Sequence, residues 1–321
     1  MIPQYNTGCY FSSLSILPLK YELSDNAALI LKDYGSKCEQ MSFSFPKGHV
    51  YGVEIQAESR FQAESIADIL CSAHTVISGC NSENPEDIII RLSDGSERES
   101  FRIGTLGVVY RDEDLFFACQ LAQKAYQKQS WKNALCRYHV AHEIYALHPL
   151  DLHPYEDPFK NNRILSEHIR IANVITACYG VLEELNLQIK ADCDHPSTID
   201  GNWNPEIKSD LITRLHGNHL NPEISIPWLT RNGIKRPFKQ GAINSSKLCE
   251  WSDGQNIGDF EINICDAILE LSYMRSQIAT HKIGNKVHQL SVYDAENAFA
   301  LSRIVLLGFF QIDIYGFLLK E

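Results

Sequence analysis

The chain has 321 residues, 44% of them hydrophobic and 21% charged, with a formal net charge of −11. That length holds one large or two ordinary domains with a full core, and the acidic balance excludes a protein that coats nucleic acid non-specifically. No low-complexity tract or repeat interrupts the chain.

Residues 1–110 read as a mixed α/β domain. Tyr51, Val53, Ile55 and Ala57 alternate with polar residues or glycine, as a half-buried strand requires. A helix comes next, with Phe61, Ile66, Leu70, Ala73 and Ile77 on one side. Asp87–Leu92 and Thr105–Tyr110 are strand candidates, and the turn-forming stretches Asn81–Asp87 and Ser93–Glu97 punctuate them.

From Asp112 the period becomes helical, which places the domain boundary near Tyr110 and an all-α region over 111–321. The fold class is therefore α+β. Asp112–Gln129 and Ser130–Leu147 read as two helices. His148–Pro158 is a loop, because its prolines remove donors and fix the backbone. Asn162–Lys190 has the strongest helical pattern, and a short helix covers about Glu206–His216. Asn221–Asn256, with prolines at 222, 227 and 237, reads as irregular. Two long helices, about Gly258–Thr280 and Asp294–Leu319, complete the pattern.

The ten cysteines form no C-x-x-C pair. Cys119, Cys178 and Cys265 fall on apolar helix faces and read as buried free thiols, which implies a reducing cytoplasm. The stretch MIPQYNTGCYF lacks a basic region followed by an apolar run, so no signal peptide is expected. Phe299–Leu319 contains Arg303, Gln311 and Asp313, so it reads as a core or interface helix and no membrane partner is expected. The helix from Asp294 is apolar almost all round, which predicts packing against a second copy in a two-fold homodimer.

The chemistry concentrates at Leu271–Gly284. At 100° per residue, Ile264, Ile268, Leu271, Arg275 and Ile278 share one narrow stripe, so an Arg stands where the pattern calls for a hydrophobe. A buried guanidinium without a partner is expensive, so Arg275 requires a dedicated partner or a cleft. His281 lies near the expected helix end, and the window Leu271–Leu290 carries Arg275, Lys282 and Lys286 with no acid. An Arg followed by four to six residues and a His also occurs at Arg137/His142, Arg163/His168 and Arg214/His219, so spacing alone does not single out a site. An Arg can grip phosphate oxygens with two parallel hydrogen bonds. A His can move protons near neutral pH. Glu183 or Glu184 of the middle helix could reach Arg275; a solvated face is the plainer reading for at least one of them.

The segment LSYMRSQIATHKIG, and after it DAENAFALSRIVLLGFF, resembles the end of a HEPN domain. The likeness covers roughly 112–321 as helix order and is specific only in the last 60 residues or so. Family members often carry Asn, Asp or His directly after the Arg, where this chain has Ser276. A mixed N-terminal domain before such a bundle also resembles ApeA-like defence proteins. The resemblance implies a cytoplasmic, metal-independent endoribonuclease without a cofactor, an effector of prokaryotic antiviral defence or a toxin. Arg275 and His281 would be its catalytic pair, doubled in one cleft by dimerisation, and an antitoxin or phage-derived activator its partner. The alternative is a non-catalytic HEPN-like module for dimerisation or RNA binding in a larger assembly.

RNA contacts are expected from Arg231, Lys235, Arg236 and Lys239, with Lys247, interleaved with Trp228 and Phe238, and from Lys282 and Lys286. An ordinary solvated loop is the plainer reading of that basic segment. His139, His142, His148 and His153 form a further cluster. His139 and His142 could share a metal, but no H-E-x-x-H and no cysteine ligand supports it, so no metal is expected.

Overall fold

A computed structural model describes residues 18–33, 51–79, 112–146, 165–231, 245–250, 256–279, 287 and 289–313. The strand candidates at 87–92 and 105–110 and the loop at 148–158 lie outside them. The chain divides into two compact units, Met1–Lys132 and Asn133–Glu321.

The first unit holds an antiparallel sheet of β1 (Leu19–Ser24), β2 (Ala27–Asp33) and β3 (Tyr51–Gln56), in that order. Asp25 and Asn26 make the turn between β1 and β2. Tyr21 and Leu23 of β1 and Leu29 and Leu31 of β2 are buried. Helix α1 (Arg60–Ser78) begins at Ser59, whose side chain accepts from the Gln62 backbone N, and ends at Gly79 in the left-handed region. Its stripe Ile66, Leu70, Ala73 and Ile77 is buried, whereas Phe61 is exposed. Helix α2 (Asp112–Tyr126) packs on α1 and on the sheet. Gln123 Nε2 of α2 donates to the Glu22 carbonyl at 2.9 Å. This packing is why the first unit runs past Tyr110: α2 belongs to its core. The division falls within α3 (Gln129–Ala146).

The second unit is built on α4 (Leu165–Glu184), which packs along α7 (Val292–Phe309). Between them in sequence lie a two-residue hairpin, β4 (Thr198–Ile199) with β5 (Asn202–Trp203), and α5 (Pro205–Gly217). Asn204 caps α5 and Pro205 opens it, where a missing N–H costs nothing.

Strands β6 (Ser225–Arg231), β7 (Ser245–Glu250) and β8 (Asn256–Asn263) then form an antiparallel sheet in the order β6-β8-β7. This corrects two expectations: residues 111–321 are not all-α, and 221–256 is not wholly irregular. Ile226, Trp228 and Thr230 are fully buried and alternate with exposed Ser225, Pro227 and Leu229. Pro227 is tolerated because β6 is an edge strand, and its parity matches Leu229, whose backbone faces away from β8. There Asn297 of α7 closes the edge: its Oδ1 accepts from Leu229 N at 3.1 Å, and its Nδ2 donates to Leu229 O at 2.6 Å.

The helix expected from Gly258 starts later. Strand β8 runs to Asn263, whose side chain accepts from Asp266 N at 2.9 Å and starts α6 (Ile264–Met274). A π-helical turn, Arg275–Ala279, continues it. Ser291 opens α7, its backbone N and hydroxyl both donating to Asp294 Oδ2. Ala295, Ala298, Leu301, Ser302, Val305 and Leu306 are buried along one side of the helix. Among the described residues no helix is long and apolar enough to cross a membrane.

Candidate functional site

Among the described residues, the C-terminal end of α4 brings two carboxylates and three arginines together. Glu183 and Glu184 stand in the last turn, at the negative end of the helix dipole, where a carboxylate is disfavoured by about 0.3–1 kcal/mol. Successive residues on a helix point about 100° apart, so the two acids reach different neighbours. Arg275 Nη2 donates to Glu183 Oε1 at 3.0 Å, and Arg137 Nε donates to Glu184 Oε1 at 3.0 Å. The helix stops at Asn186 in the left-handed region, with Leu187 N bonded back to Leu182 O at 2.7 Å. Arg214 Nη1 then donates to the carbonyls of Asn186 and Gln188, at 2.6 and 3.0 Å. Three arginines therefore offset the negative end of one helix.

Arg275 opens the π turn. Its neighbours on the predicted stripe, Ile264, Ile268, Leu271 and Ile278, are buried, yet its own side chain is 35% exposed. A π turn holds more residues than an α turn and re-aims the side chains after it, and such turns recur at functional sites. The guanidinium carbon lies 5.3 Å from the centre of the Tyr179 ring, within cation–π range. Tyr179 is fixed from two sides: its hydroxyl donates to Ser272 Oγ at 3.3 Å and accepts from Ile189 N at 3.3 Å. Burial is the main reason its phenol is harder to ionise than usual.

The basic segment fares differently. Arg231 ends β6 and Lys247 lies on β7, beside Asp259 in register. Trp228 is fully buried beside Phe260, so it cannot stack on a base as expected. Lys235, Arg236, Lys239, His281, Lys282 and Lys286 lie outside the described residues, as do Arg163, Phe238, His148 and His153.

The other Arg/His matches have structural environments. His142 is buried, its ring stacked on Phe299 at 4.0 Å and edge-on to Tyr138 at 4.7 Å. Burial, helped by His139 and Arg303, pushes its pKa down to about 3. His168 Nδ1 donates to the Leu290 carbonyl at 3.1 Å, and Arg214 braces the end of α4. Among the described residues no group of three or more His, Cys, Asp or Glu side chains could hold a metal ion. Cys119, Cys178 and Cys265 are buried free thiols, as their helix faces imply; burial raises their pKa to about 12, 12 and 11.

The structure thus brings Arg275 to Glu183, one of the two carboxylates the sequence offers. Tyr179 was not singled out for this role. The available signal is its position four residues before Glu183, which puts ring and carboxylate on one helix face. No family model, curated protein or solved structure matches this chain.

Proposed function

We propose that the chain is a metal-independent HEPN-type endoribonuclease, an effector of prokaryotic defence or a toxin, with Arg275 as phosphate clamp and His281 as acid and base. The observation that carries this reading is the placement of Arg275: partly solvent-accessible, laid over an anchored aromatic ring, on the π turn that leads to the stretch bearing His281. His281 takes the proton from a ribose 2′-OH. The 2′-oxygen attacks the adjacent phosphorus, and the 5′-oxygen leaves with a proton from the protonated form of a His281. Arg275 stabilises the charge that builds on the phosphate oxygens. A homodimer would supply two such pairs to one cleft, and an activator or antitoxin would control access. With net charge −11, contact with RNA has to be local.

One observation favours the alternative, a non-catalytic HEPN-like module for dimerisation or RNA binding. Arg275 already holds a carboxylate, as a structural arginine does. Incubation of the purified chain with RNA separates the two. The nuclease reading expects cleavage that persists in EDTA, leaves 2′,3′-cyclic phosphate ends, and is lost in Arg275→Ala and in His281→Ala. Full cleavage by both variants sinks it.

A further inference from the structure

Arg137 and Arg275 each meet a carboxylate of α4, and the two seats differ. Glu184 takes a second donor, Asn133 Nδ2 at 3.3 Å, and its side chain is 19% exposed. Arg137 lies directly over Gly180, where an added Cβ would come within 2.7 Å of Nη1. In that pair the carboxylate is the enclosed partner, whereas the Arg137 side chain is 46% exposed, so the two seats differ at the acid. The Arg275–Glu183 pair has side chains 35% and 38% exposed, so solvent reaches both partners. Solvent screens such a pair, and its hold is weak.

We propose that Glu183 occupies, in the RNA-free chain, the seat that Arg275 offers to a nucleic-acid phosphate, with Tyr179 as the fixed floor of that seat. This rests on the reading above that RNA meets Arg275. A carboxylate and a phosphate present the same pair of oxygens to a guanidinium fork. The floor outlasts the exchange, because Tyr179 is tied to Ser272 and Ile189, not to Glu183. The guanidinium therefore keeps its place when the carboxylate swings out into water. Glu183 costs α4 stability by its position at the helix end. Its contact is with the one arginine on the turn that leads toward His281. Displacing it is the step RNA has to perform, so the contact sets a threshold on affinity.

The test measures binding of the full chain to a labelled single-stranded 2′-O-methyl RNA, which cannot be cleaved because its 2′-oxygens are blocked. Fluorescence anisotropy is read for the wild type, Glu183→Gln, Arg275→Ala and the double variant. Glu183→Gln is expected to bind about two- to fivefold tighter, the range a half-exposed ion pair allows. Arg275→Ala binds more weakly, and the double variant matches Arg275→Ala, because Glu183 acts only through that arginine. If Arg275→Ala weakens binding and Glu183→Gln does not tighten it, Glu183 is a structural tie; the inference falls and the RNA-binding reading stands. If Glu183→Gln tightens binding equally with and without Arg275, the gain is a general charge effect and the seat is overturned. If Arg275→Ala binds as the wild type does, RNA does not use this arginine and both readings fall.

Discussion

Arg137 with His142 and Arg275 with His281 both fit an Arg followed by four to six residues and a His, and both arginines meet neighbouring carboxylates of one helix. Their surroundings part them. In the first pair the histidine is sealed in the core against Phe299 and the arginine lies over a glycine. In the second the arginine opens a π turn with water on one side. Spacing thus states which residues can meet; what separates these sites is the enclosure of His142 and of Glu184, since both arginines reach water.

The widest gap between the pairs should appear in catalysis. Arg275→Ala is expected to lower RNA cleavage about 1,000-fold, the scale of removing a main phosphate-charge stabiliser. Arg137→Ala should leave cleavage within about twofold and lower stability by no more than about 1 kcal/mol. Equal losses in both, measured as initial rates, would erase the distinction.

The histidines should separate next, through stability. His142→Ala removes a ring from a stacked aromatic cluster and is expected to cost about 2–4 kcal/mol in urea unfolding. Acid sharpens the same point. His142 has its pKa depressed to about 3 when folded, so folding favours the neutral ring. Its contribution is present above the unfolded value of about 6.5 and is lost as pH falls toward about 3. Between pH 6.5 and 5 this is roughly 2 kcal/mol. His74, with its pKa lowered to about 4 by burial, acts in the same direction. His142→Phe keeps a ring against Phe299 and should flatten part of the pH dependence. An unchanged slope would show that the ring is not desolvated as described.

The smallest effect concerns the floor under Arg275. Tyr179→Phe deletes the hydroxyl bonded to Ser272 and Ile189 and keeps the aromatic face. Thermal or urea unfolding should report a loss of about 1 kcal/mol, with RNA affinity weakened about twofold as the floor loses its ties. A large loss of affinity without loss of stability would mean that the hydroxyl itself touches RNA.

Much of this arrangement is legible in the sequence where a segment carries its own period. The alternation over Tyr51–Gln56 and the stripe of Arg60–Ser78 need nothing from the rest of the chain. Strand β6 is hidden because Pro227 reads as a breaker, and only the sheet order shows that it sits on an edge. Strand β8 is hidden because Ile262 and Ile264 run on into the apolar pattern of α6, so one period absorbs the other. At the site, Arg275 is legible as a misfit in an apolar stripe, and Glu183 as a carboxylate within reach. Tyr179 is not, because it fills an apolar slot on α4 and only tertiary packing lays a guanidinium over it.

Asn297 has a consequence for the society of chains in which this protein is made. A strand edge with an open N–H and C=O invites a stranger's backbone, and the invitation is strongest at high concentration, when many copies emerge together. By answering both groups of Leu229 with one amide, α7 withdraws that invitation at the centre of β6. The guard arrives late, since Asn297 lies 68 residues beyond Leu229. Until α7 docks, the edge at Leu229 stands unguarded, and quality control of a nascent chain has most to do in that interval.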